Sequence, residues 1–159
     1  MSAYVTLTEA STYFATRLYT DEWDEAIASQ RTAALTMAQQ AIDALPLIGV
    51  RATTTQTDAF PRCYTIRFDR YNGLEGSTID TSVYTDTLVP QCVKDAVCEE
   101  ALALLKYGDS ERVKLQEQGV TAASRGDLHE TYTPRTGLIS PIARNLMRPW
   151  VQGVVSLTT

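Results

Sequence analysis

Apolar residues recur at three- and four-residue spacing most clearly in 89–108, where Val93, Val97, Ala101, Leu104 and Leu105 share one helical face. The rest of the chain is organised around this helix. Pro90 suits its first helical position, where a missing N–H costs nothing. Gly108 suits the position just past its end, where a left-handed residue is favoured. Ala96 and Ala103 widen the face with side chains small enough for another helix to approach, while Lys94, Asp95, Glu99, Glu100 and Lys106 are expected on the rest of the cylinder. A second long helix is predicted over 21–45, with Ile27, Ala34, Ala38, Ala41 and Leu45 as its stripe, Trp23 as an anchor and Pro46 as its stop. Before it, Thr6 and Glu9 have the spacing of a capping box that opens a helix over 7–19. After the central helix, Asp109 or Ser110 caps a short helix through Gln118 that ends at Gly119. Ser140-Pro141 starts a last helix with Ile142, Leu146 and Met147 on its apolar side, and Pro149 ends it.

Residues 47–88 have another character, rich in Thr, Asp, Gly and Tyr with no helical period. Phe60-Pro61-Arg62 reads as a compact turn, and Tyr64 to Phe68 alternates as a short strand. The stretch 69–76, around Asn72-Gly73, reads as an exposed turn. So long a connection between two helices points to an insertion that meets a partner. In 120–133, Gly126-Asp127 marks the turn of a β-hairpin, or arm. The predicted fold is mainly α: a small helical bundle with a long irregular insertion and a β-hairpin arm. One domain is expected over 1–148. Residues 149–159 are expected to form a C-terminal tail, with apolar Trp150, Val151, Val154, Val155 and Leu157 but little to fold against by themselves.

A chain of 159 residues that is 44% hydrophobic has the length and composition of one globular domain. It can bury roughly two-thirds of its unfolded surface without a metal or disulfide staple. The net charge of −5 argues against general affinity for nucleic acid, which comes largely from Lys and Arg on phosphates. Cys63, Cys92 and Cys98 form no paired framework, and buried thiols in a reducing compartment are expected. No basic-then-apolar stretch opens the chain, so no signal peptide is expected. The longest apolar run, 101–105, is far too short to span a bilayer.

Enzymatic chemistry finds little footing. His129 is the one histidine, and no nucleophile elbow, H-E-x-x-H, Walker loop or G-x-G-x-x-G is present. No Cys/His set has zinc spacing. Asp21, Glu22, Asp24 and Glu25 complement a helix dipole rather than form a metal site. No cofactor is implied. A nucleic-acid reading rests on Arg62, Arg67 and Arg70 interleaved with Tyr64, Phe68 and Tyr71, and on a second basic set, Arg135, Arg144 and Arg148. The same residue types are also enriched at protein interfaces.

The order of parts is itself informative. Y-V-T-L-T-E-A-S-T-Y-F opens the chain, and a long Ala-rich helix, Phe60-Pro61-Arg62 and V-P-Q-C-V-K-D-A-V-C-E-E-A-L-A-L follow. A hairpin-like segment and a short terminal helix with Leu146 and Trp150 complete it. This resembles the head-to-tail adaptor (connector, or head-completion) proteins of tailed bacteriophages, some relatives of which carry the label DnaT-like single-stranded-DNA-binding protein. The resemblance implies a structural virion protein of the neck, made in the host cytoplasm. Copies would assemble as a ring, commonly twelvefold, beneath the portal protein. That ring would extend the channel through which DNA passes without specific binding, and offer a platform to the next neck or tail-completion protein. No membrane contact is implied. On that expectation the contact segments are a loop with Asp69, Arg70, Tyr71 and Asn72, an arm with Leu128 and Tyr132, and an end with Arg144, Arg148, Trp150 and Val151. Trp150 would be the portal anchor. The alternative is a single-stranded-DNA-binding replication accessory protein. A nuclease or hydrolase would need a metal site that the sequence does not offer.

Overall fold

A computed structural model describes residues 3–69, 79–85, 87–119, 122–125, 128–131 and 137–151. The fold is mainly α. The elements run α1 (Leu7–Phe14), α2 (Asp21–Glu25), α3 (Ala28–Asp43), β1 (Val50–Arg51), β2 (Arg62–Asp69), β3 (Ile79–Thr85), α4 (Gln91–Tyr107), α5 (Glu111–Glu117), β4 (Ala122–Arg125), β5 (Leu128–Thr131) and α6 (Pro141–Met147). Helix α4 is the hub, with α1, α2, α3 and α6 packed around it. Val93, Ala96, Val97 and Ala101 are sealed inside, and Leu104 and Leu105 lie against the same core. Pro90 sits one position earlier than expected, as the cap whose carbonyl accepts from Val93 and Lys94. Gly108 closes α4 in the right-handed region, at φ −58°, so its conformation makes no use of glycine's freedom.

The pattern fails for Glu99 and Glu100. Both were expected on the solvated side of α4, and both are buried. Cys98, Leu102 and Ala103 are buried as well, so α4 is covered on nearly every side, as a helix at the centre of a bundle must be.

The capping box at the start of α1 forms: the Glu9 amide donates to Thr6 Oγ1 at 3.2 Å and the Thr6 amide to Glu9 Oε2 at 2.8 Å. Lys94 Nζ donates to Glu9 Oε1 at 2.7 Å and ties this first turn to α4. These bonds, Lys94 foremost, lower the Glu9 pKa from 4.5 to about 2. A lowered carboxylate stabilises the fold fully above its unfolded pKa and loses that contribution as pH falls through the folded one. Melting temperature should therefore drop between pH 4.5 and about 2, and Lys94→Met should flatten that drop.

Helix α1 stops at Phe14, short of the expected Tyr19, and the chain turns through Tyr19 at φ +61°. The helix expected over 21–45 is two helices. At the break, Ala26 and Ile27 are extended, and Arg31 donates Nε to Trp23 O and Nη2 to Asp24 O, both at 2.8 Å. One guanidinium thus satisfies carbonyls that the end of α2 leaves open. Trp23 is the buried anchor expected of it, whereas Ile27, assigned to the apolar stripe, is exposed.

The insertion is more regular than expected. Strands β1, β2 and β3 form an antiparallel sheet in that order, with Val50 opposite Cys63, Tyr64 opposite Tyr84 and Asp69 opposite Ile79. Gly49 enters this sheet at φ +72°, and a Cβ there would lie 2.2 Å from the Cys63 carbonyl oxygen. The hairpin arm forms, with Ala122 opposite Thr131 and Arg125 opposite Leu128. Ser140 caps α6 through its Oγ, with Pro141 at the first position as expected.

Candidate functional site

The segment 149–151 belongs to the core rather than to a loose tail. Trp150 is 9% exposed. Its ring meets Phe60 at 5.3 Å and Tyr64 at 5.2 Å between centroids, both edge to face, and its Nε1 donates to Cys92 Sγ at 3.2 Å. Its carbonyl accepts from the Ile48 amide, and Val151 bridges to Leu47. The indole of Trp150, named as the portal anchor on the resemblance, is packed inside its own chain. Val151 is half-buried, while Arg144 on α6 and Arg148 just past its end are exposed. Arg144 Nη2 donates to Leu138 O at 3.0 Å.

The other expected contact residues lie apart from this end. Asp69 ends β2 opposite Ile79, and Leu128 opens β5 opposite Arg125. Arg70, Tyr71, Asn72 and Tyr132 lie outside the described residues, as does Arg135.

Arg62, the first cation of the interleaved basic segment, is buried. Its guanidinium donates to four carbonyls: Nε to Ile48 at 2.7 Å, Nη1 to Ala59 at 3.1 Å, and Nη2 to Gly49 at 2.7 Å and Leu47 at 3.4 Å. Burial, with Arg51 nearby, pulls its pKa below the usual arginine value. Beside it, Tyr4 Oη donates to Asp43 Oδ1 at 2.7 Å and accepts from the Phe60 amide at 2.8 Å. Burial raises both Tyr4 and Asp43 above their ordinary pKa values. Phe60-Pro61-Arg62 is thus a structural clasp between the sheet and the bundle.

Two buried carboxylates on α4 hold the bundle's other side. Glu99 accepts Tyr13 Oη at 2.7 Å and a forked pair from Arg17, Nε to Oε1 and Nη2 to Oε2. Glu100 accepts the backbone amides of Ile139 and Ser140, each at 2.8 Å, and fixes the entry to α6. Pairwise spacing cannot reveal such partners, which stand 82 and 86 residues away for Glu99. The available signal was the nearly unbroken apolar run of Ala96, Val97, Cys98 and 101–105 around the two acids, which marks a helix covered all round. Arg17→Met should cost about 2 kcal/mol in chemical denaturation, below the usual cost of orphaning a buried charge because Arg17 is partly solvated and Tyr13 remains. Adding Glu99→Gln should recover part of that loss, since the unpaired charge is then gone.

Among the described residues, no group of His, Cys, Asp and Glu is arranged to hold a metal ion, and no helix is long and apolar enough to cross a membrane. The family model described as "Putative DnaT-like ssDNA binding protein" matches residues 1–158, and the chain belongs to that family. No curated protein and no solved structure matches the chain.

Proposed function

We propose that this protein is a non-enzymatic structural adaptor of a tailed-phage neck. On this reading, copies ring the DNA channel beneath the portal and carry the next neck or tail component. One observation carries the choice of a structural role over strand binding. Arg62 and Tyr64, which open the best cation–aromatic segment, are committed to the protein's own core. Other cations are engaged too: Arg17 with Glu99, Lys94 with Glu9, Lys106 with Glu22, Lys114 with Asp109, and Arg31 with backbone carbonyls. Phosphate affinity grows with the cations that can neutralise it, and the chain is net acidic. An acidic wall suits DNA that must slide rather than stick.

The family description favours the second reading, a single-stranded-DNA-binding accessory protein, for which Arg67 in β2 and Arg70 beyond it are the remaining candidates. Fluorescence anisotropy with a labelled oligothymidine at low and near-physiological salt separates the two. The adaptor reading expects no saturable binding at physiological salt. Binding that weakens with salt and is lost in the Arg67→Ala/Arg70→Ala variant would replace it with the accessory-protein reading.

A further inference from the structure

Four of the nine large apolar residues exposed among the described residues border one groove: Leu18 and Tyr19 between α1 and α2, Tyr107 at the end of α4, and Ile142 in α6. Exposed apolar residues gathered in this way, rather than scattered singly, mark an interaction site. The wall of the groove is firm. Tyr19 holds φ +61°, which an aromatic residue keeps only where its surroundings fix it. Arg17, two residues earlier, is clamped on buried Glu99. The groove holds about 230 Å³. Small-molecule sites run to about 300–1,000 Å³, so this one suits one or two inserted side chains instead.

Charge selects among the possible occupants. Helix α2 borders the groove, because its Glu22 Oε1 meets Lys106 Nζ at 3.1 Å and Lys106 is part of the groove's lining. Asp21, Asp24 and Glu25 of the same helix are exposed and form no ion pair among the described residues. The cations at this edge are already engaged: Arg17 with Glu99, Lys106 with Glu22, and Arg31 with the carbonyls of Trp23 and Asp24. Asp21, Glu22, Asp24, Glu25 and Glu99 outnumber these three, and the edge is net negative. Such an edge repels phosphate, and it repels a second copy of a chain whose net charge is −5. Residues 152–159 contain no Lys or Arg to meet it.

We infer that the groove receives a segment of a partner protein in which apolar anchors stand between Lys or Arg residues. The anchors enter beside Leu18, Tyr19 and Ile142, and the cations meet Asp21, Asp24 and Glu25. Such a partner does not depend on the ring and fits the adaptor and accessory-protein readings alike.

Fluorescence anisotropy of the full chain with three labelled peptides of equal length tests this at near-physiological salt. One peptide places Leu at helical spacing among Lys, the second replaces Lys by Glu, and the third replaces Leu by Ser. The Leu/Lys peptide should bind saturably, and the other two should bind more weakly by about tenfold or more. Leu18→Ser/Ile142→Ser and Asp21→Asn/Glu25→Gln should each weaken the Leu/Lys peptide by about tenfold, and added salt should weaken it further. Asp95→Asn, in the first half of α4, should leave its affinity unchanged. The substituted side chains in the groove are exposed, and circular dichroism checks that the variants fold. No saturable binding, equal binding of the Leu/Glu peptide, or an affinity that both double variants leave unchanged would overturn the inference. Native mass spectrometry of the chain alone covers the other occupant: oligomers that Leu18→Ser/Ile142→Ser dissolves would give the groove to a second copy and overturn it as well.

Discussion

Trp150→Ala should lower the unfolding free energy by about 3–5 kcal/mol, the range for deleting a buried large aromatic. The loss has identifiable parts. Phe60 and Tyr64 lose their edge-to-face partner, Cys92 loses its donor, and the Leu47–Val151 bridge loses the neighbour that holds it in place. For a domain of this size the melting temperature should fall on the order of 10 °C. Thermal melts followed by circular dichroism measure this, and Trp150→Phe should recover much of the loss. The result bears on how the C-terminus is tested against partners. A chain stopped after Met147 would lose Trp150, so weakened portal binding would report unfolding. A chain stopped after Val151 keeps the core and isolates the contribution of residues 152–159.

Arg62→Met should cost a similar amount, about 3–5 kcal/mol in urea denaturation. The methionine fills much of the volume but leaves the carbonyls of Leu47, Ile48, Gly49 and Ala59 without their charged donor. Arg62→Lys should recover less than half, because one ammonium cannot replace a planar fork that reaches four acceptors at once. If Arg62 instead faced a nucleic-acid strand, either substitution would leave stability near wild type. The stability change is therefore a direct check on the observation that separates the structural reading from the strand-binding one.

What could be read from the sequence was local. Thr6 with Glu9, Ser140 with Pro141, and the pairing of 122–125 with 128–131 each have their partners within a few residues, and each forms where expected. The stripe of α4 needed only its own spacing. The misses come from contacts across the chain. Glu99 and Glu100 look solvated until Arg17, Tyr13 and the amides of 139–140 close over them. The break between α2 and α3 depends on Arg31 reaching back to carbonyls, against good helix propensity on both sides. Strand β3 was hidden because its regularity comes from pairing with β2 rather than from its own alternation. The same reason explains the candidate site. Trp150 and Arg62 stood out because large aromatics and arginine mark interfaces, and both side chains are packed within the chain itself.

Electron microscopy of the purified protein mixed with its cognate portal ring tests the central claim most directly. The adaptor account predicts an added ring of density, coaxial with the portal and continuing its channel. Portals that remain bare at high protein concentration would contradict it.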